Sequence, residues 1–178
     1  MNRRRVVVTG MGVCSPIGND LDTVWHNAAN GISGIDFIKS FDTTDLPVIF
    51  GGEVRGLDPV ELFGRREARR MDRLTHLAAA AAKQAIEDAG ITVTESNCYD
   101  VGVLIGSGMG GITTIIEGIK DILQKGARSV SPLLVPMMLP DSPAAKVSMM
   151  WGFRGPNMAI STACATGNNS IGEASEII

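Results

Sequence analysis

Three short apolar runs, each closed by glycine or small residues and followed by a helix-like pattern, constrain this chain more than any other feature. They are Arg5-Val6-Val7-Val8-Thr9-Gly10, Asp100-Val101-Gly102-Val103-Leu104-Ile105-Gly106 and Met158-Ala159-Ile160-Ser161. Runs this short and this apolar read as strands buried on both faces, unlike the alternating strands of a half-solvated antiparallel sheet. Such strands, alternating with helices, imply a largely parallel, layered α/β sheet. The 21 glycines and the scarcity of aromatics (4%) agree with it, because small residues let helices lie close to the sheet.

Caps and periodicity mark the helices. Asn19 or Asp20 begins one that runs to about Ala29, with Leu21, Val24 and Trp25 on one face. Residues 31–58 are broken by Gly, Pro and Asp and read as loops, with one short extended piece near Val48–Phe50. Arg65 to Ala89 reads as a single long helix. Met71, Leu74, Leu77, Ala78, Ala81, Ala85 and Ile86 recur at helical spacing, and Gly90 stands where a C-terminal cap belongs. Its alanine-rich middle, Ala78–Ala82, predicts an unusually close neighbour. A further helix is expected over Ile112–Gln124. The three prolines of Ser129–Pro140 exclude regular helix there. Asp141 or Ser142 then caps a helix to about Met150, and the last helix runs from Asn168 to Ile178.

Charge and composition exclude several classes of function. With 44% hydrophobic and 20% charged residues the chain is globular rather than disordered. A net charge of −3 gives no reason to expect nucleic acid or an anionic membrane as partner. No apolar segment has the length of a membrane span, and the N-terminus lacks a signal-peptide core. Cys14, Cys98 and Cys164 are odd in number and form no CxxC pair. A reducing, cytoplasmic setting is expected, with no disulfide framework, no metal site and no cofactor.

Three places are candidates for chemistry. Thr9-Gly10-Met11-Gly12-Val13-Cys14 invites a dinucleotide reading, but Ser15 stands at the third glycine position and Pro16 where the helix should begin. A structural turn is the better reading. Gly106-Ser107-Gly108-Met109-Gly110-Gly111 lacks the Lys-Ser/Thr ending of a phosphate loop, and glycine alone does not separate ligand approach from close packing. Cys164, in Ser161-Thr162-Ala163-Cys164-Ala165-Thr166-Gly167, differs in kind. An apolar strand delivers it to a helix N-terminus, a setting that favours thiolate, and small neighbours leave room for an acyl group. The backbone N–H at such a turn can donate to a developing oxyanion. A lone buried cysteine that only packs is the competing reading, and locally the two are balanced. Cys14 and Cys98 read as packing residues; His26 and His76 fall inside helices and belong to no motif.

Four segments together carry a family resemblance. Arg4-Arg5-Val6-Val7-Val8-Thr9-Gly10-Met11-Gly12, Gly106–Gly111, Arg154-Gly155-Pro156 and Thr162-Ala163-Cys164-Ala165-Thr166-Gly167 occur in one order along the chain. In them the chain resembles the β-ketoacyl-acyl carrier protein synthases, and among these synthase II, the elongating condensing enzyme. The resemblance runs from Asn2 to Ile178. It implies a thiolase-like αβαβα fold, of which residues 1–178 would form most of the N-terminal half. It implies a decarboxylative Claisen condensation with acyl- and malonyl-loaded acyl carrier protein as partners, and a homodimer. By position Cys164 would accept the acyl chain, with its own N–H as half of the oxyanion hole. Met109 would line the acyl pocket with Gly108 and Ala163 beside it. Leu134, supported by Leu133, would reach the partner subunit's pocket.

The chain departs from the family in length. Members are about twice as long, and their catalytic histidines and supporting lysine follow the nucleophile. Neither His26 nor His76 stands at such a position, so condensation by these 178 residues alone is not expected. Apolar faces and the Met158–Ser161 edge would lack cover, predicting poor solubility or partial unfolding. The other readings are a chain-length-factor-like non-catalytic partner, which the presence of Cys164 opposes; a polyketide ketosynthase fragment, which the start at Met1 opposes; and an inactive truncated product.

Overall fold

An alanine-faced helix with a neighbour on each side is the centre of the computed structural model, which describes residues 4–178. This helix, α3 (Arg73–Asp88), buries Ala79 completely and leaves Ala80 4% exposed. On one side it packs against α6 (Ser142–Trp151), whose Ala144 is 0% exposed. Alanine against alanine is what allows the two axes to approach so closely. Around this contact Val103, Val147 and Phe153 complete the core. The close neighbour expected from Ala78–Ala82 is therefore present.

On its other side α3 receives the first apolar run. A Cβ on Gly12 would lie 2.0 Å from the Ala81 carbonyl oxygen, and one on Gly10 2.4 Å from that of Ala85. Polar side chains of the helix then bind the run's backbone. The Met11 N–H donates to Asp88 Oδ2 (2.9 Å) and the Val13 N–H to Gln84 Oε1 (3.2 Å). Gln84 Nε2 donates in return to the carbonyls of Val13 (3.2 Å) and Asn19 (2.7 Å). The Gly10–Val13 segment is thus structural, and the Met11 and Val13 N–H groups are committed to protein rather than to a phosphate.

The strand expected at Arg5–Gly10 does not form. No described segment pairs with it, and Val7 and Val8 are 65% and 77% exposed. A strand is defined by a neighbour for its backbone groups, and here the run has only the helix.

The long helix expected over Arg65–Ala89 is two helices. The first, α2 (Pro59–Ala68), starts at an Asp58 cap and is itself interrupted at Gly64, with φ 77°. The chain breaks after Ala68, and Asp72 caps α3 by accepting from the Leu74 N–H at 2.9 Å. Gly90 ends α3 with φ 63°, as expected. Upstream, α1 (Leu21–Ala29) carries the predicted Asp20 cap.

Residues 31–58 contain a hairpin rather than loops alone. Strands β1 (Ile35–Phe37) and β2 (Phe50–Gly52) pair antiparallel, with Phe37 opposite Phe50. Arg55 closes the hairpin, pairing with Asp36 and donating to the Phe37 carbonyl at 2.9 Å. Glu53 accepts from the Lys39 and Ser40 N–H groups at 2.9 and 3.0 Å.

The parallel pairing appears between β3 (Val103–Leu104) and β4 (Asn157–Met158). Its hydrogen bonds continue past both strands, from Ile105 N to Met158 O (3.3 Å) and from Ser107 N to Ile160 O (3.2 Å). Between them lie α4 (Ile112–Lys125), the short α5 (Leu134–Met138) and α6. Helix α5 corrects the expectation of an irregular Ser129–Pro140: Pro136 sits in the first turn, where its missing N–H has no helical partner to lose. Neither Asp141 nor Ser142 caps α6 through its side chain; the Ser142 hydroxyl donates to the Pro136 carbonyl instead. The last helix, α7 (Thr166–Ile177), begins two residues earlier than expected.

Candidate active site

The strand-to-helix turn that carries Cys164 is built from small and hydroxylated residues. After Ile160 the chain leaves the parallel ladder, and Ala163 takes a left-handed conformation with φ 52°, the only described non-glycine residue to do so. That conformation costs an L-residue about 1–2 kcal/mol, and alanine carries the smallest side chain that can clash. Ala163–Ala165 forms one 3₁₀ turn, and α7 follows at once. Cys164 is thereby an exposed free thiol at the entrance of a 12-residue helix. The packing reading expects a buried cysteine, and here the thiol is exposed.

Thr166 holds this turn from inside. It is 6% exposed, and its Oγ1 accepts from the Thr162 N–H at 2.8 Å. The Thr162 hydroxyl donates to Asn169 Oδ1 (2.9 Å), and the buried Ser170 hydroxyl donates to the Thr166 carbonyl (2.8 Å). Thr166 and Ser170, four residues apart on one helix face, rest against Gly106. A Cβ on Gly106 would lie 2.3 Å from Thr166 Cγ2 and 2.5 Å from Ser170 Oγ. At this glycine the choice between ligand approach and packing is settled in favour of packing.

The rest of the glycine segment runs beside the thiol turn. A Cβ on Gly108 would meet Ala163 at 3.6 Å, an ordinary contact, and the Ser161 hydroxyl reaches the Gly108 carbonyl at 3.5 Å. Met109 follows, 71% exposed. Gly110 adopts φ 83° and its N–H donates to Ser107 Oγ at 2.9 Å. Cys164, Ala163, Gly108 and the Met109 turn are therefore brought to one place. Leu134 is not among them. It packs on α4, where Gly118 leaves room: a Cβ there would lie 2.6 Å from Leu134 Cδ1. Leu133 instead borders a cavity of about 440 Å³ with Arg65, Arg66, Arg69 and Arg70.

Other groups stand elsewhere. His26 is exposed on α1, and His76 Nε2 contacts the Ala68 carbonyl at 2.9 Å, with burial lowering its imidazole pKa. Burial raises the pKa of the Cys14 thiol, and Cys98 is 4% exposed, as packing residues should be. A cavity of about 300 Å³ lies along β4, lined by Met158, Ile160, Thr162, Asn169 and Glu173. A wider one of about 690 Å³ lies among Met71, Met137, Lys146 and Met149, away from the thiol turn. Among the described residues no group of three His, Cys, Asp or Glu side chains could hold a metal ion, and no helix is long and apolar enough to cross a membrane.

Sequence comparison decides the family. A model described as the N-terminal domain of β-ketoacyl synthases matches residues 3–178. The chain belongs to the β-ketoacyl synthase family. It is 47% identical over 175 residues to 3-oxoacyl-[acyl-carrier-protein] synthase 2 of Staphylococcus aureus (strain COL), covering 98% of this chain and 42% of that relative. The chain thus spans less than half the length of the curated synthase it matches. Among solved structures, it resembles a β-ketoacyl synthase from Burkholderia phymatum STM815 at 27% identity and TM-score 0.78, over 97% of this chain and 43% of that one. A type II PKS ketosynthase, solved with its acyl carrier protein, shares the fold at 23% identity and TM-score 0.81, over 99% and 47%. The α/β, thiolase-like ketosynthase fold expected from the sequence is the fold these synthases share with the chain.

Thr166, Ser170, Asn169 and Asp72 escaped the sequence reading. The first two were visible in principle: hydroxyl residues at i and i+4 of a helix form a narrow face that a glycine strand can meet. Asp72 carried no such signal, because the hydrophobic period runs through it unbroken.

Proposed function

We propose that this chain is the nucleophile-bearing part of a 3-oxoacyl-[acyl-carrier-protein] synthase. The observation that carries the proposal is the Ala163 turn, which presents an exposed Cys164 at the start of α7 beside Gly108 and Met109. The Cys164 sulfur, as thiolate, attacks the carbonyl carbon of an acyl thioester on acyl carrier protein. The new C–S bond forms, the carrier's C–S bond breaks, and the carrier leaves as thiolate, which takes up the proton that Cys164 released on ionising. Malonyl carrier protein then loses CO₂, and the resulting carbanion attacks the Cys164 thioester. A C–C bond forms, the Cys164 C–S bond breaks, and the chain leaves two carbons longer on the carrier.

Acyl transfer and condensation draw on different residues. The Cys164 N–H serves as half of the oxyanion hole, and Met109, Gly108 and Ala163 border the acyl chain. Decarboxylation requires groups that stabilise an enolate; His26 is exposed on α1, and His76 contacts the Ala68 carbonyl. That step is assigned to the part of the relatives beyond the matched 42%. Leu134, with Leu133, is assigned by the family resemblance to the pocket of a second copy, although in its own chain it packs against Gly118. A homodimer paired along the second edge of β4 supplies that copy. Arg65, Arg66, Arg69 and Arg70 offer a cationic surface for the phosphate of the carrier's prosthetic arm. The three free cysteines support a cytoplasmic setting. An exposed thiol at this turn also sets the chain apart from a non-catalytic partner subunit.

The test is transfer of radiolabelled acyl groups from acyl carrier protein to the folded chain. Label is expected on the wild type and absent from Cys164→Ala. A folded wild-type protein that takes up no label refutes the assignment.

A further inference from the structure

We infer that Asp72, on the far side of the glycine segment from Cys164, positions the Met109 turn and thereby sets acyl-chain selectivity. The inference rests on the reading of Cys164 as acyl acceptor and Met109 as pocket lining.

Asp72 is 4% exposed, and a buried carboxylate needs hydrogen-bond donors. It takes them from two helices. Oδ1 accepts from the Leu74 N–H in the first turn of α3 (2.9 Å), while Oδ2 accepts from the N–H and hydroxyl of Thr114 in the first turn of α4 (2.9 and 2.6 Å). Helix α4 has no cap of its own, because its N-cap residue is Gly111. Asp72 supplies the missing acceptor from outside, and both helix dipoles favour its charge. Gly111 is small because a Cβ there would stand 2.5 Å from the Met137 carbonyl oxygen and 3.0 Å from the Asp72 carboxylate.

This anchor grips Thr114, five residues beyond Met109. The segment from Ser107 to Thr114 is held by the Met109 and Gly110 N–H groups to Ser107 Oγ (3.4 and 2.9 Å), by the Gly111 N–H to the Met138 carbonyl (2.9 Å), and by Thr114 to Asp72. Met109 itself is 71% exposed, so its place relative to Cys164 is inherited from these ties. Displacing the start of α4 displaces Met109 along the path of an acyl chain leaving Cys164. A short acyl group ends before Met109 and does not register the change; a long one does. Asp72 is thus a positioning residue that acts through Met109.

Two variants of the full chain test this. Asp72→Asn keeps the shape but removes the charge shared by the two helices, and Thr114→Val removes one hydroxyl donor while keeping the backbone tie. Hydrogen exchange at Gly110–Thr114 is expected to accelerate about tenfold or more in Asp72→Asn, and by less in Thr114→Val, with α7 unchanged. For Cys164 acylation, KM for long-chain acyl carriers is expected to change by about tenfold in Asp72→Asn while kcat for the shortest acyl group stays within about twofold. Unchanged exchange at Gly110–Thr114 overturns the positioning role whatever the acylation data show. Faster exchange with long and short chains affected in equal proportion overturns the selectivity role. A wild type that exchanges as expected but takes no acyl group at Cys164 overturns the functional reading and the selectivity role with it, while the positioning role stands.

Discussion

Replacing Gly106 by alanine adds one methyl group at the tightest contact between β3 and the thiol-bearing helix. That methyl would sit 2.3 Å from Thr166 Cγ2, 2.5 Å from Ser170 Oγ and 2.8 Å from the Ile160 carbonyl. None of the three gives way freely. Rotating Thr166 surrenders the bond its Oγ1 accepts from Thr162, and rotating Ser170 surrenders its bond to the Thr166 carbonyl. The Ile160 carbonyl is backbone and already accepts from Ser107. Overpacking of this kind costs about 1–3 kcal/mol, and one surrendered hydrogen bond adds about 1 kcal/mol. Gly106 does not have a positive φ, so alanine recovers about 0.4–1 kcal/mol by restricting the unfolded chain. The net expectation is a loss of roughly 1–3 kcal/mol, read as a lower urea midpoint with unchanged m-value. Gly108→Ala is the matched control. Its Cβ would meet Ala163 at 3.6 Å, so stability should hold within about 0.5 kcal/mol. Alkylation of Cys164 by iodoacetamide, with Cys14 and Cys98 as internal references, should change in Gly106→Ala and not in the control. A Gly106→Ala protein as stable as wild type, or a control equally damaged, would refute the packing argument.

Four further outcomes are expected. Ala163→Val places a β-branched residue at φ 52° and should destabilise the turn by about 1–3 kcal/mol in denaturant titration, whereas Ala163→Gly should be near neutral. Hydrogen bonds from Ser40 and then the Lys39 N–H, with the Arg55 charge nearby, lower the Glu53 carboxyl from 4.5 to about 2. Because the folded value is depressed, its contribution is complete above about pH 4.5 and is lost as pH falls toward about 2. The Lys39 and Ser40 amide shifts should follow that window in wild type and lose the Glu53 contribution in Glu53→Gln. Charge reversal at Arg69 and Arg70 should slow acyl transfer from carrier protein, by a factor that shrinks as salt rises. Finally, with Leu123, Val8 and Ile171 at 80%, 77% and 70% exposure, the 178-residue chain should self-associate as its concentration rises; a sample that stays monodisperse at high concentration in sedimentation would contradict this.

Features that a few neighbouring residues determine were legible in the sequence. Asp20 caps α1, Gly90 ends α3 in a left-handed turn, and the run into Cys164 becomes strand, turn and helix. Features that depend on distant partners were not. The valines of the first run have strand character, yet a ladder needs a neighbouring backbone that hydrophobic pattern does not specify. The break between α2 and α3 follows from what Asp72 binds 42 residues away, and periodicity is blind to that. The β1–β2 hairpin is secured by Arg55 and Glu53 acting on backbone groups, in a segment whose Gly and Pro content suggests only loops. At the candidate site the thiol was legible and its internal support was not, since Thr166 and Ser170 acquire meaning only opposite Gly106.

One side chain of α3 has a consequence for the opposite end of the chain. Gln84 satisfies both the N–H and the carbonyl of Val13 with a single amide, the pairing that a neighbouring strand residue would otherwise make. It works as a register pin for a run that has no ladder. Because side chains alternate across an extended backbone, the pin also decides which of Val6, Val7 and Val8 face each way. A residue gained or lost between Val8 and Gly10 would therefore leave the helix contact of Gly10–Val13 in place and turn the valines over, so spacing in this stretch is as constrained as composition.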